Sequence, residues 1–230
     1  MKMSALVKAI GAIAILCVLG GRVWAQHEEQ LIESLRSKDV KTREAASAAL
    51  KELGPKVAVP ALLKALRDSF VRKDKDRMQS MLDAMDAQGG GAVPVLFEEL
   101  WKAEKTGDRT ASAVTSALLV ETGRKDARPL VLALKDAMEK KDDRGMAIAD
   151  VVLQLGPDPL IAIRRKEANS DLRRLAVLML GRMAVRGNDK AMAGVKEAVD
   201  DKDERVRAQA GNVLVGVRDE KGQRKREGEK

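Results

Sequence analysis

KDVKTREAASAALKELG, residues 38–54, reads as one α-helix with a polar start, an apolar face and a stop. Asp39 can cap the N-terminus by accepting a hydrogen bond from a free backbone N–H. Ala46, Leu50 and Leu53 follow Arg43 by 3, 7 and 10 residues, which puts them on one face. Ala, Leu, Glu and Lys fill the run, and all are good helix formers. Gly54 can take the left-handed conformation that ends a helix, and Pro55 cannot continue it.

Variants of this helix recur along the chain. With Arg43 as marker and a closing glycine eleven residues on, Gly54, Gly89, Gly123 and Gly156 place the marker at Arg43, Met78, Ser112 and Gly145. Arg173 and Arg207 fill it in two further copies, and the intervals are 35, 34, 33, 28 and 34 residues. A period in this range signals stacked helical units. Three residues after the marker stand Ala46, Met81, Thr115, Ile148, Ala176 and Ala210. Seven after it stand Leu50, Met85, Leu119, Val152, Leu180 and Leu214; ten after it, Leu53, Gln88, Thr122, Leu155, Met183 and Val217. Most are small or apolar, as a shared core requires.

A second set of helices lies between these. It shows as VPALLKAL from Val59, VPVLFEEL from Val93, RPLVLAL from Arg128 and DPLIAI from Asp158. Pro60, Pro94, Pro129 and Pro159 suit a first helical turn, where a missing N–H costs little. EEQLIESL from Glu28 and AMAGVKEAV from Ala191 lack the proline, and terminal repeats are often atypical. The pattern predicts an all-α chain of about six helical hairpins over 27–54, 55–89, 90–123, 124–156, 157–184 and 187–217. With aromatics at 2% and no Tyr, the β-branched and aromatic clusters of strands are missing.

The pattern L-x3-L, an Asp, then V/T-R-x2-A-x3-L-x2-L/G resembles the HEAT repeat, in the short bacterial form also found in phycobilin lyases. Asp39 with Arg43, Asp171 with Arg173, and Asp203 with Arg207 match it best. Met78, Ser112 and Gly145 depart from it, so a ladder of Asp–Arg pairs would be interrupted in the middle. The resemblance covers nearly all of 27–217. It implies a right-handed α-solenoid whose second helices line the concave face, and it allows a lyase-like activity on a tetrapyrrole. Such repeats serve many partners.

The N-terminus carries a different signal. Lys2 and Lys8 precede an apolar run, Ala9–Leu19, that is short for a membrane span, and Val23-Trp24-Ala25 fits a cleavage site. Residues 1–25 read as a secretory signal peptide cut after Ala25; if uncut, residues 9–19 would anchor the chain to a membrane. Cleavage removes Lys2, Lys8, Arg22 and Cys17, the only cysteine, and takes the net charge from +8 to +5. The exported domain, 26–218, then has no disulfide in an oxidising compartment. Residues 219–230 read as a charged, disordered tail.

Catalysis has little to stand on. His27 is the single His and the body of the chain lacks Cys, so soft metal sites are not expected. Asp200-Asp201-Lys202-Asp203-Glu204 lacks the Gly and the ligand spacing of a calcium loop. No cofactor site is read from the sequence. With the core set at 3, 7 and 10 residues past the marker, the opposite stripe lies 1, 5, 8 and 9 past it. In the fourth hairpin this gives Met146, Asp150 and Leu153; in the fifth, Arg174, Leu178, Gly181 and Arg182; in the third it includes Val120. The stripe is mixed in sign and partly apolar, where a groove for a phosphate backbone would be basic throughout. It suits a protein or peptide partner and not nucleic acid. Arg174, Leu178, Arg182, Met146, Asp150 and Leu153 are the candidate binding residues of an exported, non-enzymatic scaffold. Arg164, Arg165, Lys166, Arg173, Arg174, Arg182 and Arg186 face only Glu167 and Asp171 locally, an excess that could meet an acidic partner or an anionic membrane surface. Phe97 and Trp101 are expected to staple the third hairpin to a neighbour.

Overall fold

Polar caps, alanine- and leucine-rich faces and Gly-Pro stops divide the chain into short helices. The computed structural model describes the backbone of residues 21–228 and the side chains of residues 27–218. Twelve α-helices and no strand occur among the described residues: α1 Gly21–Ser34, α2 Val40–Leu53, α3 Pro55–Val71, α4 Lys75–Asp86, α5 Ala92–Thr106, α6 Arg109–Lys125, α7 Arg128–Glu139, α8 Gly145–Gln154, α9 Pro157–Lys166, α10 Ser170–Val185, α11 Asp189–Glu197 and α12 Glu204–Gly228. Short 3₁₀ turns occupy Gly89–Gly91 and Ala198–Asp200. The expected leader, residues 1–20 with Cys17 and the 9–19 run, lies outside the described residues; α1 crosses the expected cut after Ala25. Among the described residues no single helix is long and apolar enough to cross a membrane.

The helices form two compact units, Met1–Gln88 and Gly89–Lys230. In the first, α1 packs on α2 and α3 on α4, with further contacts α1–α3 and α2–α4. In the second, α5–α6, α7–α8, α9–α10 and α11–α12 pack as consecutive pairs. Odd helices also touch odd helices (α5–α7, α9–α11) and even ones touch even ones (α6–α8, α8–α10, α10–α12). Each unit is thus two layers of helices around its own core. The core positions are those set by the marker. Ala46, Met81, Thr115, Ile148, Ala176 and Ala210 are all buried, as are Leu50, Met85, Leu119, Val152 and Leu180.

Asp39 caps α2 as expected, accepting from the N–H groups of Lys41 and Thr42. Asp74, Asp108 and Asn169 cap α4, α6 and α10 in the same way. In the fifth hairpin the cap is therefore Asn169, not the Asp171 that the HEAT pattern points to. Asp171 sits inside the first turn of α10 and donates its own N–H to Asn169 Oδ1 at 2.9 Å.

Four boundaries differ from the sequence reading. Gly54 has φ 79° and ψ 163°, an extended mirror-image conformation open only to glycine and not the left-handed helical one. It ends α2 and starts α3 at once, with Pro55 as first residue, and Gly156-Pro157 repeats the junction before α9. Because α3 starts at Pro55, Pro60 falls inside the helix, while Pro94, Pro129 and Pro159 lie in first turns as expected. Gly123 does not stop its helix: α6 runs to Lys125. A Cβ there would come within 2.2 Å of Leu130 Cδ1 and 2.6 Å of Leu155 Cδ2, so this glycine serves close packing. Finally, α12 continues to Gly228, through residues whose charge points to a disordered tail; Glu, Lys, Arg and Gln are also good helix formers.

Candidate functional site

The six candidate residues sit on two helices of the second unit that pack on each other, α8 and α10. α8 is held by Ile148, Ala149, Val151 and Val152, all buried. That face leaves Met146 80% exposed and Asp150 exposed, with Leu153 half-buried. α10 buries Leu172, Leu175, Ala176, Val177, Met179 and Leu180. Arg174 and Arg182 then stand in solvent and Leu178 is half-buried. Arg174 reaches Asp171 only at 4.0 Å, and Arg182 has no ion pair among the described residues. Between them the two helices carry one exposed methionine, two half-buried leucines, a carboxylate and two guanidinium groups. Among the described residues no three His, Cys, Asp or Glu side chains stand close enough to share a metal ion.

Two members of the predicted stripe are not on this surface. Val120 is buried, and so is Gly181. A Cβ on Gly181 would lie 2.5 Å from Val213 Cγ1 of α12. Gly181 faces the following helix pair, because α10 packs on α12 along that edge. The usable stripe is narrower than the helical wheel indicates.

The cationic cluster of the fifth hairpin is mostly consumed within the molecule. Arg165 grips Glu197 through Nη2 at 2.9 Å to both oxygens, and Arg164 pairs with the same carboxylate. Hydrogen bonds from Arg165, with the nearby Arg164 charge, hold the Glu197 carboxyl below its ordinary value. Glu167 accepts the Asn169 backbone N–H and the Arg128 guanidinium and is lowered likewise. Asp171 receives Arg205 at 3.4 Å. Lys166, Arg182 and Arg186 are the members with no ion pair among the described residues. The local excess is therefore not a free basic patch.

Arg173 shows what the marker arginine does. Its Nη1 donates to the carbonyls of Glu167 and Ala168 at 3.0 and 2.9 Å. Arg43 makes the same two bonds to Ser37 and Lys38, and Arg207 to Asp201 and Lys202. Each arginine satisfies carbonyls of the connection between the two helices of its pair. Arg173 alone adds a carboxylate of the next pair, Asp201, through Nε at 3.1 Å and Nη2 at 2.9 Å. Both side chains are buried, at 3% and 7% exposure. Burial works to raise the Asp201 carboxyl, but the Arg173 bonds and the Asp203 N–H outweigh it and the carboxyl is lowered. In the sequence Asp201 is one of five successive charged residues, and nothing in that run marks it for burial.

Phe97 is buried, while Trp101 is half-buried with Lys105 Nζ 5.0 Å from its ring centre. Phe97 is thus the buried member of the pair, and Trp101 is the half-buried one with a cation over its ring. No protein-family model matches the chain, and no curated protein matches it significantly.

Proposed function

We propose that the chain is a right-handed, HEAT-like solenoid of about six helical pairs. It acts as an exported, non-enzymatic scaffold that binds a protein or peptide through the exposed stripe of α8 and α10. The layered contacts of odd with odd and even with even helices in each unit support the repeat reading. The observations that carry the site are Met146, 80% exposed on α8, and Arg182, exposed and without an ion pair among the described residues on α10, the helix that packs on it. An exposed large apolar side chain and an uncommitted guanidinium on packed helices are the composition of an interaction surface, where Met and Arg are enriched. Leu153 and Leu178 add half-buried apolar surface on the same two helices.

The test replaces Leu178 with a photo-crosslinking amino acid in the full chain expressed in its native producer. A protein crosslinked from this position, and bound about tenfold more weakly by Arg174→Ala/Arg182→Ala (~1.4 kcal/mol), supports the reading. Undiminished binding by the double variant removes the site. Export is checked on the same material: an intact mass starting at Gln26 supports it, and an uncut chain in membranes overturns it.

A further inference from the structure

A cleft of about 530 Å³ lies between α5 and α7 in the second unit. Phe97, Pro129, Leu132 and Ile148 line its base. Leu132 is 45% exposed, so the apolar lining continues to the surface. Four carboxylates border it, Glu98, Asp136, Glu139 and Asp142, against two cations, Lys135 and Arg144. Three of the carboxylates are already held by cations: Glu139 by Lys135 at 2.5 Å, Asp142 by Arg144 Nε at 2.7 Å, and Asp136 by Lys140 at 2.6 Å. Glu98 has no hydrogen bond or ion pair among the described residues.

The first unit repeats this balance independently. Its cleft between α1 and α3, about 780 Å³, has Glu28, Glu29, Glu33 and Asp68 against Arg36 and Lys64. The chain as a whole carries a net charge of +8. Acid-rimmed clefts between odd helices therefore run against the overall charge.

We propose that the α5–α7 cleft docks a cationic segment of a partner protein, with an apolar side chain on Phe97, Leu132 and Ile148 and a flanking Lys or Arg side chain facing Glu98. The uncompensated Glu98 carboxylate disfavours an anionic ligand. A purely apolar ligand would cover Glu98 without giving it a donor, which costs free energy. A cationic segment with one apolar anchor satisfies both the base and the rim. This surface is separate from the α8–α10 stripe, and the two stand or fall independently.

The test measures fluorescence anisotropy of the full chain with a labelled peptide of alternating Lys and Leu, at about 0.15 M salt so that loose attraction is screened. Peptides of Lys and Ser, and of Glu and Leu, serve as controls, and a photo-crosslinking version maps the contact. Tighter binding of the Lys/Leu peptide than of either control, crosslinks on α5 and α7, and weakening of about fivefold or more by Leu132→Ser and by Glu98→Lys support the proposal. Both positions are exposed, and circular dichroism confirms that the variants stay folded. Arg174→Ala/Arg182→Ala is expected to bind this peptide as the parent does. Equal binding of the Lys/Ser peptide, crosslinks confined to α1 and α3, or unchanged affinity of both cleft variants overturns it.

Discussion

Asp142 accepts two kinds of hydrogen bond from one neighbour, the backbone N–H of Arg144 at 2.9 Å and its Nε at 2.7 Å. The side-chain bond is the larger influence, and together they bring the carboxyl from 3.8 down to about 2. A folded-state value below the unfolded one means that the carboxylate stabilises the fold above about pH 4, and that this contribution fades as pH falls through about 2. Asp201 and Glu197 are lowered too and act in the same direction. In a carbon-detected NMR titration the Asp142 carboxyl should turn over near pH 2. Arg144→Ala should move that midpoint upward, part of the way to 3.8, since the backbone bond remains. A midpoint unmoved by the substitution would assign the lowering to another cause. None of this was visible in the sequence, where Glu139–Asp143 reads as a solvated charged turn. The partner of each charge depends on how the turn folds, which spacing alone does not encode.

Four connections between helices share one device, a residue with positive φ followed by Asp or Asn. They are Lys73-Asp74, Gly107-Asp108, Lys141-Asp142 and Gly187-Asn188. In each, the N–H of the second residue donates five positions back: to Ser69 and Ala103 at 3.0 and 2.9 Å, and to Ala137 and Met183 at 2.9 and 3.1 Å. The Asp or Asn side chain then accepts from a backbone N–H at the start of the next helix. One turn ends a helix and caps the next. Two of the four use lysine, at φ 57° and 52°, where a side chain crowds the backbone. Lys73→Gly and Lys141→Gly should each stabilise the fold by about 0.5–1 kcal/mol, read as a rise of a few degrees in thermal midpoint. A fall in either case would mean that the lysine side chain makes a stabilising contact. At this scale the sequence was most readable. Helix existence, core faces and the Asp39 cap follow from periodicity and propensity, which are local. The caps Asp74, Asp108 and Asn169 carry the same local signal and could have been read from their place four residues before the marker. Gly123 could not, because its role depends on Leu130 and Leu155 arriving from other helices.

The charge that the sequence concentrates in the fifth hairpin proves to link successive helix pairs of the second unit. Arg128 reaches Glu167, Arg164 and Arg165 reach Glu197, and Arg173 reaches Asp201. The cations are close in sequence while their carboxylates arrive 28–39 residues later, so the cluster looked like an unpaired docking patch. Its members differ in weight. Exposed pairs contribute roughly 0–1 kcal/mol, whereas removing one partner of a buried pair costs about 3–5 kcal/mol, because the other charge is left unpaired. Arg173 keeps its two carbonyl acceptors if Asp201 is lost, which places Asp201→Ala at the low end, about 3 kcal/mol. Asp39→Ala, which removes an exposed cap, should cost less and fray mainly the start of α2. In a layered helical array each pair is coupled chiefly to its neighbours, so the damage should be graded. Hydrogen exchange on Asp201→Ala should show protection lost most in α10–α12, less in α7 and α8, and least in α5 and α6. An even loss across the second unit would mean that it unfolds as one cooperative block. Undiminished protection would mean that the carbonyl bonds of Arg173 alone hold the junction, and that Asp201 serves only to neutralise it.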